Sequence, residues 1–230
     1  MINLSALKSE TDIFDRNKTD MMRFEKDFKL AIKALPPEEK DKLILRLLKK
    51  DLALANRLHF ELLSTDSVDE KRTELEARIK TRFFNIAEFV HSPGHLMMCL
   101  RDVSGEINEH VYTTKDKFGE ASLNLLMLNE ALKETNSIIE ESSIQRKYKL
   151  CIYIIARAFK ILMLIQALDE DYFVEFREPL TQLGELISAN HSLMKMAINN
   201  GFDVNWLLRA EIPEDIKEIH KSVRAQGFLR

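Results

Sequence analysis

The chain has 230 residues, of which 45% are hydrophobic and 31% are charged; this composition is that of a globular protein and excludes an intrinsically disordered one. The 34 Lys and Arg residues nearly balance the 37 Asp and Glu residues, giving a net charge of −3. Sequence-independent binding to phosphate backbones therefore has no evident driving force, and no nucleic-acid partner is predicted. The chain has only six Gly and five Pro, which favours helices, because sheet proteins need more turns of special backbone geometry.

The N-terminal residues predict a loosely ordered segment followed by one large domain. Residues 1–17 carry little hydrophobic periodicity, and a single all-helical domain is expected over residues 18–230. Residues 1–18 also lack an apolar core after a basic start, so no secretory signal is predicted and the cytoplasm is the default location.

Two prolines separate the first two predicted helices. The first helix is expected to end at Pro36-Pro37, because proline cannot continue a helix but suits the first turn of the next one. The second helix places four apolar residues on one face, at spacings of one, three and four. These residues are Leu43, Ile44, Leu47 and Leu48.

The middle of the chain carries several helix-start signals. Asp51 is a natural N-cap for a third helix, and Ser67 begins a capping-box pattern that ends at Glu70. Ser92-Pro93 reads as a cap followed by proline at the first helical position. Thr113 or Thr114 is expected to cap a long helix.

The C-terminal part is expected to contain two long helices and two short ones. The first long helix follows a polar turn at Glu140–Ser143, and Pro179 is expected to start the second, which runs to Ile198. Asn199-Asn200-Gly201 is typical of a helix C-terminus, because Gly and Asn tolerate the left-handed conformation. A short helix around Trp206 and a last one opening at Pro213 complete the chain, and no strand is predicted.

The segment Cys151–Leu168 is the most apolar part of the sequence, with fifteen of its eighteen residues apolar. A helix that is apolar nearly all round must be covered on nearly all sides. A membrane span is disfavoured, because Arg157 and Lys160 lie near its middle, where each is costly. These cations need a surface opening or a carboxylate partner such as Asp169 or Glu170; alternatively, they line a cavity for an anionic ligand.

The predicted fold class is all-α: an irregular antiparallel bundle of about nine or ten helices around the central apolar helix. A HEAT-like αα-superhelix is the alternative, because residues 35–63 read as one Leu-rich helical hairpin. Long antiparallel helices with short loops favour the bundle.

One cluster of residues could bind a metal. Glu88, His91, His95 and Cys99 are spaced three, four and four residues apart, which would align them on a continuous helix. Ser92-Pro93-Gly94 is expected to break that helix, so the alternative interpretation is a helix end followed by a new start.

A candidate protein interface lies in the loop after residue 199. Phe202, Trp206 and Arg209 include the only tryptophan of the chain, and Trp and Arg are favoured interface anchors. The alternative is that Phe202 and Trp206, with Leu207, close one end of the bundle.

No motif in the sequence predicts an enzyme. Nucleotide-binding glycine patterns, a Gly-x-Ser-x-Gly motif and a zinc-type Cys-x-x-Cys are all absent from the sequence, and no cofactor is predicted. The sequence therefore favours a non-catalytic cytoplasmic helical protein that acts in protein–protein interaction or self-association, without a membrane partner. The alternative is a metal-binding helical-bundle enzyme that uses Glu88, His91, His95 and Cys99.

Overall fold

The computed structural model describes residues 25–230. Within this range the fold is a multi-helix bundle with no strand, so the predicted all-α class is confirmed, with twelve α-helices in place of nine or ten. The helices are α1 (Lys26–Ala34), α2 (Pro37–Leu48), α3 (Leu52–Leu63), α4 (Val68–Phe84), α5 (Ile86–Phe89), α6 (Pro93–Thr114), α7 (Lys117–Glu141), α8 (Ile144–Gln166), α9 (Phe173–Ser188), α10 (His191–Asn199), α11 (Asn205–Leu208) and α12 (Ile216–Ala225), with a short 3-10 helix at Glu170–Tyr172.

The chain divides into two compact units, one up to Leu52 and one from Ala53. The described part of the first unit contains α1 and α2, and neither helix buries a single residue. The loosely ordered segment expected over residues 1–17 lies outside the described residues, and the single domain expected over residues 18–230 stays a prediction.

The core of the second unit is built around α7 and α8. Every residue from Leu150 to Gln166 on α8 is buried or half-buried, as the apolar sequence requires. The preceding helix is equally central, because α7 packs against α4, α5, α6, α8, α9 and α10. Among residues 25–230, none of the helices combines the length and the apolarity that crossing a bilayer requires.

Several local signals in the sequence act as predicted. Ser67 forms a full capping box with Glu70, and the Ser92 side chain accepts a hydrogen bond from the His95 N–H at the start of α6. Gly201 takes a positive φ of 67° after α10. These signals succeed because their hydrogen bonds are made within a few residues of the chain.

The predicted start of α7 is wrong. Thr113 and Thr114 are the last residues of α6, and the Thr114 hydroxyl donates back to the carbonyl of His110 at 2.8 Å. Lys115 then turns left-handed with a φ of 62°, and Asp116 caps α7 by accepting a hydrogen bond from the Gly119 N–H.

The predicted long helix from Pro179 to Ile198 is also wrong. Pro179 lies inside α9, which begins six residues earlier at Phe173. The helix is then interrupted at Asn190, whose side chain caps α10 and also donates to the carbonyl of Asn136 on α7 at 3.0 Å. The cap is a local hydrogen bond, accepted from the Leu193 N–H at 3.0 Å, and the contact with Asn136 ties this break to α7.

Candidate functional site

The predicted metal cluster is divided between two helices. Glu88 lies on the single-turn helix α5, His91 lies in the connection, and His95 and Cys99 lie on α6. The break at Ser92 is therefore confirmed. The side chains of Glu88, His91 and His95 are exposed. No group of three or more His, Cys, Asp and Glu side chains within residues 25–230 is placed to hold a metal ion.

The predicted interface residues differ in burial. Phe202 is only 2% exposed and packs edge-to-face against Phe159 of the central helix, with ring centroids 4.8 Å apart. Trp206 is half-buried and contacts both rings, whereas Arg209 is exposed. Phe202 therefore belongs to the core, and an interface role for Trp206 and Arg209 stays a prediction.

The two cations of α8 find partners on α7 rather than at Asp169 or Glu170. The Lys160 ammonium lies 2.8 Å from the Glu120 carboxylate. The Arg157 guanidinium donates to the side-chain oxygen of Asn124 at 3.0 Å and to the Tyr153 hydroxyl at 2.7 Å. These groups are satisfied by neighbouring side chains, so no binding role is needed to explain them.

A buried carboxylate that the sequence did not indicate as a site is held by several hydrogen bonds. The side chain of Asp116 is 4% exposed and accepts two hydrogen bonds from Arg72, at 2.7 and 3.0 Å. His110 lies 3.1 Å from the same carboxylate, and the Gly119 N–H donates to it at 2.7 Å. The network therefore ties α4, α6 and the start of α7 together.

These hydrogen bonds set the pKa of Asp116. Burial alone would raise the pKa of the carboxyl group, but hydrogen bonds with His110, Arg72 and the Gly119 N–H outweigh it and lower the pKa to about 2. Arg72 also lies over the Phe118 ring at 4.8 Å. All its partners are accounted for within the fold, so we assign this network to stability.

Among the residues that the structure describes, α2 of the first unit carries a partly exposed apolar surface. We define the α2 apolar face as Leu43, Ile44, Leu47 and Leu48. Ile44 and Leu47 are 48% and 51% exposed, respectively, and the other two are half-buried. The amphipathic spacing was predicted from the sequence, but the exposure of this face was not.

Charges are distributed unevenly along α2. Glu38 and Glu39 lie in its first turn and Arg46 lies in its last turn, followed by Lys49 and Lys50. Acidic residues at the N-terminus and basic residues at the C-terminus complement the helix dipole. The same arrangement makes the two ends of the helix electrostatically complementary to each other.

Comparisons of the chain with protein-family models, with curated proteins and with solved structures each find no match. Inferences about function therefore depend on the residues and geometry described above.

Proposed function

We propose that this protein is a non-catalytic, cytoplasmic helical protein that acts through self-association, with the α2 apolar face binding the same face of a second copy. The exposure of Ile44 and Leu47 on a helix with no buried residue carries the proposal. A 12-residue helix is marginal in water by itself, so covering its apolar face would stabilise it. Two free thiols, Cys99 and Cys151, are in keeping with a reducing compartment.

The charges along α2 favour a second copy as the occupant. Two α2 helices packed antiparallel about a two-fold axis place the acidic start of each beside the basic end of the other. Lys50 lies in the turn two residues after α2 ends. When the helical spacing is continued to it, Lys50 is three turns from Glu39 and about 20° from it around the axis, so both flank the same edge of the apolar face. In the antiparallel pair, Glu39 of one copy therefore faces Lys50 of the other.

The test is sedimentation velocity of the full chain over a wide range of concentration. We expect a monomer–dimer equilibrium in the native protein. About half of each side chain is exposed and available for burial in the dimer, so Ile44→Gln combined with Leu47→Gln should remove about 3–6 kcal/mol per dimer. The dimer dissociation constant should then rise by about a hundredfold or more. The matched control is Leu45→Gln, which changes an exposed residue outside the face and should leave the constant within a fewfold of the native value.

A charge exchange tests the antiparallel geometry separately. Glu39→Lys should weaken the dimer, and adding Lys50→Glu to the same chain should restore it, because each copy then carries the opposite pair. A native protein that stays monomeric at the highest concentration contradicts the proposal. Binding of the monomer to anionic vesicles at low salt would instead assign the face to a membrane surface.

A further inference from the structure

A cavity of about 500 Å³ lies in the second unit, lined by the end of α7, by α8 and α10, and by residues 227–229. Its volume falls in the range of about 300–1,000 Å³ that is typical of small-molecule sites. The wall is largely apolar, with contributions from Ile144, Met196 and Phe228. The volume and the apolar wall suit a ligand that has a sizeable apolar part.

A buried cation lies at this wall. Lys147 is 8% exposed, and its ammonium donates one hydrogen bond, to the carbonyl of Glu140 at 2.9 Å. None of the ion pairs formed in residues 25–230 involves Lys147. Since an ammonium has three donors, this side chain keeps unused donors and a charge without a carboxylate partner, which is costly in an apolar environment.

Lys147 is one helical turn before Cys151 on α8, and its positive charge affects the pKa of that thiol. Burial raises the pKa of the Cys151 thiol to about 11, and the nearby positive charge of Lys147 partly opposes this rise. Lys195 and His191 are exposed and also line the cavity. The single acidic residue in the lining is Glu140, whose carboxylate accepts a hydrogen bond from the Ser192 N–H at 3.4 Å.

We propose that this cavity binds a monocarboxylate with an apolar tail, with the carboxylate paired to the Lys147 ammonium and the tail against the apolar wall. Lys147 is the buried cation of the lining and matches one carboxylate, whereas Lys195 and His191 are exposed. A phosphate, with more charge and more acceptor atoms, is better matched by the planar fork of an arginine or by several free backbone N–H groups. Here the Glu140 carboxylate already accepts a hydrogen bond from the Ser192 N–H at the start of α10.

Titration calorimetry with octanoate, decanoate and dodecanoate on the full chain tests the proposal. We expect saturable binding at one site, tightening by about fourfold for each added methylene group while the tail fits. Dodecanol, which keeps the tail but lacks the charge, should bind at least tenfold more weakly than dodecanoate.

Variants locate the site. Lys147→Met should weaken dodecanoate binding about tenfold or more and leave dodecanol binding unchanged, because only the ammonium is removed. Lys149→Met changes an exposed lysine on the same helix outside the cavity lining and should change neither affinity. Met196→Trp should abolish the binding of both probes by filling the cavity, and circular dichroism should verify that each variant is folded.

Four outcomes overturn the inference: no saturable binding of dodecanoate, equal dodecanoate affinity in the native protein and in Lys147→Met, native affinity in a folded Met196→Trp, or dodecyl phosphate binding tenfold tighter than dodecanoate. The cavity and the α2 apolar face share no residue. Substitutions at Ile44 and Leu47 should therefore leave dodecanoate binding unchanged, and loss of self-association is distinguishable from loss of ligand binding.

Discussion

The Asp116 network supports a prediction of pH-dependent stability that can be worked out from its geometry. Asp116→Asn removes the negative charge but keeps an N-cap residue of nearly equal quality, since Asn and Asp are similar in that position. The substitution therefore tests the charge–charge and charge-assisted interactions of the carboxylate with Arg72 and His110, and does not test the cap itself.

The expected magnitude follows from the pKa. Lowering the pKa of Asp116 from its usual value of 3.8 to about 2 corresponds to about 2.5 kcal/mol of stability when the carboxylate is ionised. Because the pKa is depressed in the folded state, this stability is fully present above about pH 5. It is lost progressively as the pH falls below 3.8 toward 2. Asp116→Asn should therefore reduce the free energy of unfolding by about 2–3 kcal/mol at pH 7, with a difference that mostly vanishes near pH 2.

Urea denaturation followed by circular dichroism, repeated from pH 7 toward pH 2, measures this difference. The matched control is Asp69→Asn, because Asp69 also contacts Arg72, at 2.9 Å, but its side chain is 82% exposed. We expect the control to change stability by no more than about 0.5 kcal/mol. A loss below that value for Asp116→Asn at pH 7, or a loss of constant size down to pH 2, would refute the reasoning.

Two further predictions concern packing and thiol reactivity. A Cβ added at Gly184 would lie 2.8 Å from the backbone nitrogen of Leu208, so Gly184→Ala should lower the free energy of unfolding by about 1–2 kcal/mol. A Cβ added at Gly105 would meet nothing within 4 Å, so Gly105→Ala should raise the free energy of unfolding by up to about 1 kcal/mol. Urea denaturation distinguishes the two signs. Cys151 is 1% exposed, and burial raises its pKa to about 11. Iodoacetamide at pH 8 should therefore label the half-buried Cys99 first and Cys151 only after unfolding. Peptide mass spectrometry measures the order of labelling.

The helix starts show which features a sequence can predict. Ser67 and Ser92 make their capping bonds to residues three positions ahead, so their partners are present in the local sequence. Asp116 could have been recognised as a cap in the same way, but Thr114 competes for that role in the sequence. The structure resolves the choice, because Thr114 bonds backward into α6 while Arg72, more than forty residues away, holds Asp116.

The break at Asn190 has a local part and a distant part. The local part is an N-cap, in which the Asn190 side chain accepts a hydrogen bond from the Leu193 N–H, and the helical spacing of residues 179–198 masks it in the sequence. Residues 179–198 read as one amphipathic helix because their apolar residues keep a helical spacing. The amide of Asn190 also donates to the side-chain oxygen of Asn136 at 2.8 Å, a contact across 54 positions of sequence. Such a contact depends on how α7 and α10 pack, and this information is absent from any local window.

The candidate surfaces were predictable only in part. The periodicity of Ile44 and Leu47 predicts an apolar face on α2, but whether another element covers that face depends on the tertiary arrangement. The cavity beside Lys147 has no sequence motif at all, because its wall combines residues from positions 140–200 with residues 227–229. A lysine near the start of a helix is ordinarily interpreted as a solvated residue, and the burial of Lys147 on α8 reverses that interpretation.

Polar residues along the contact between α7 and α8 favour one position of the apolar helix α8 along α7. Glu120 and Asn124 are one turn apart on α7, and their partners Lys160 and Arg157 are about one turn apart on α8. Apolar side chains alone would tolerate a shift of one helix along the other by a turn, since Leu and Ile contacts are largely interchangeable. A shift by one turn would separate both polar pairs. In one direction it would bring Arg157 beside Leu128, at the cost of an unsatisfied charge; in the other it would bring Arg157 beside Glu120 and leave Lys160 without its carboxylate. These two pairs therefore favour the observed register of the two central helices.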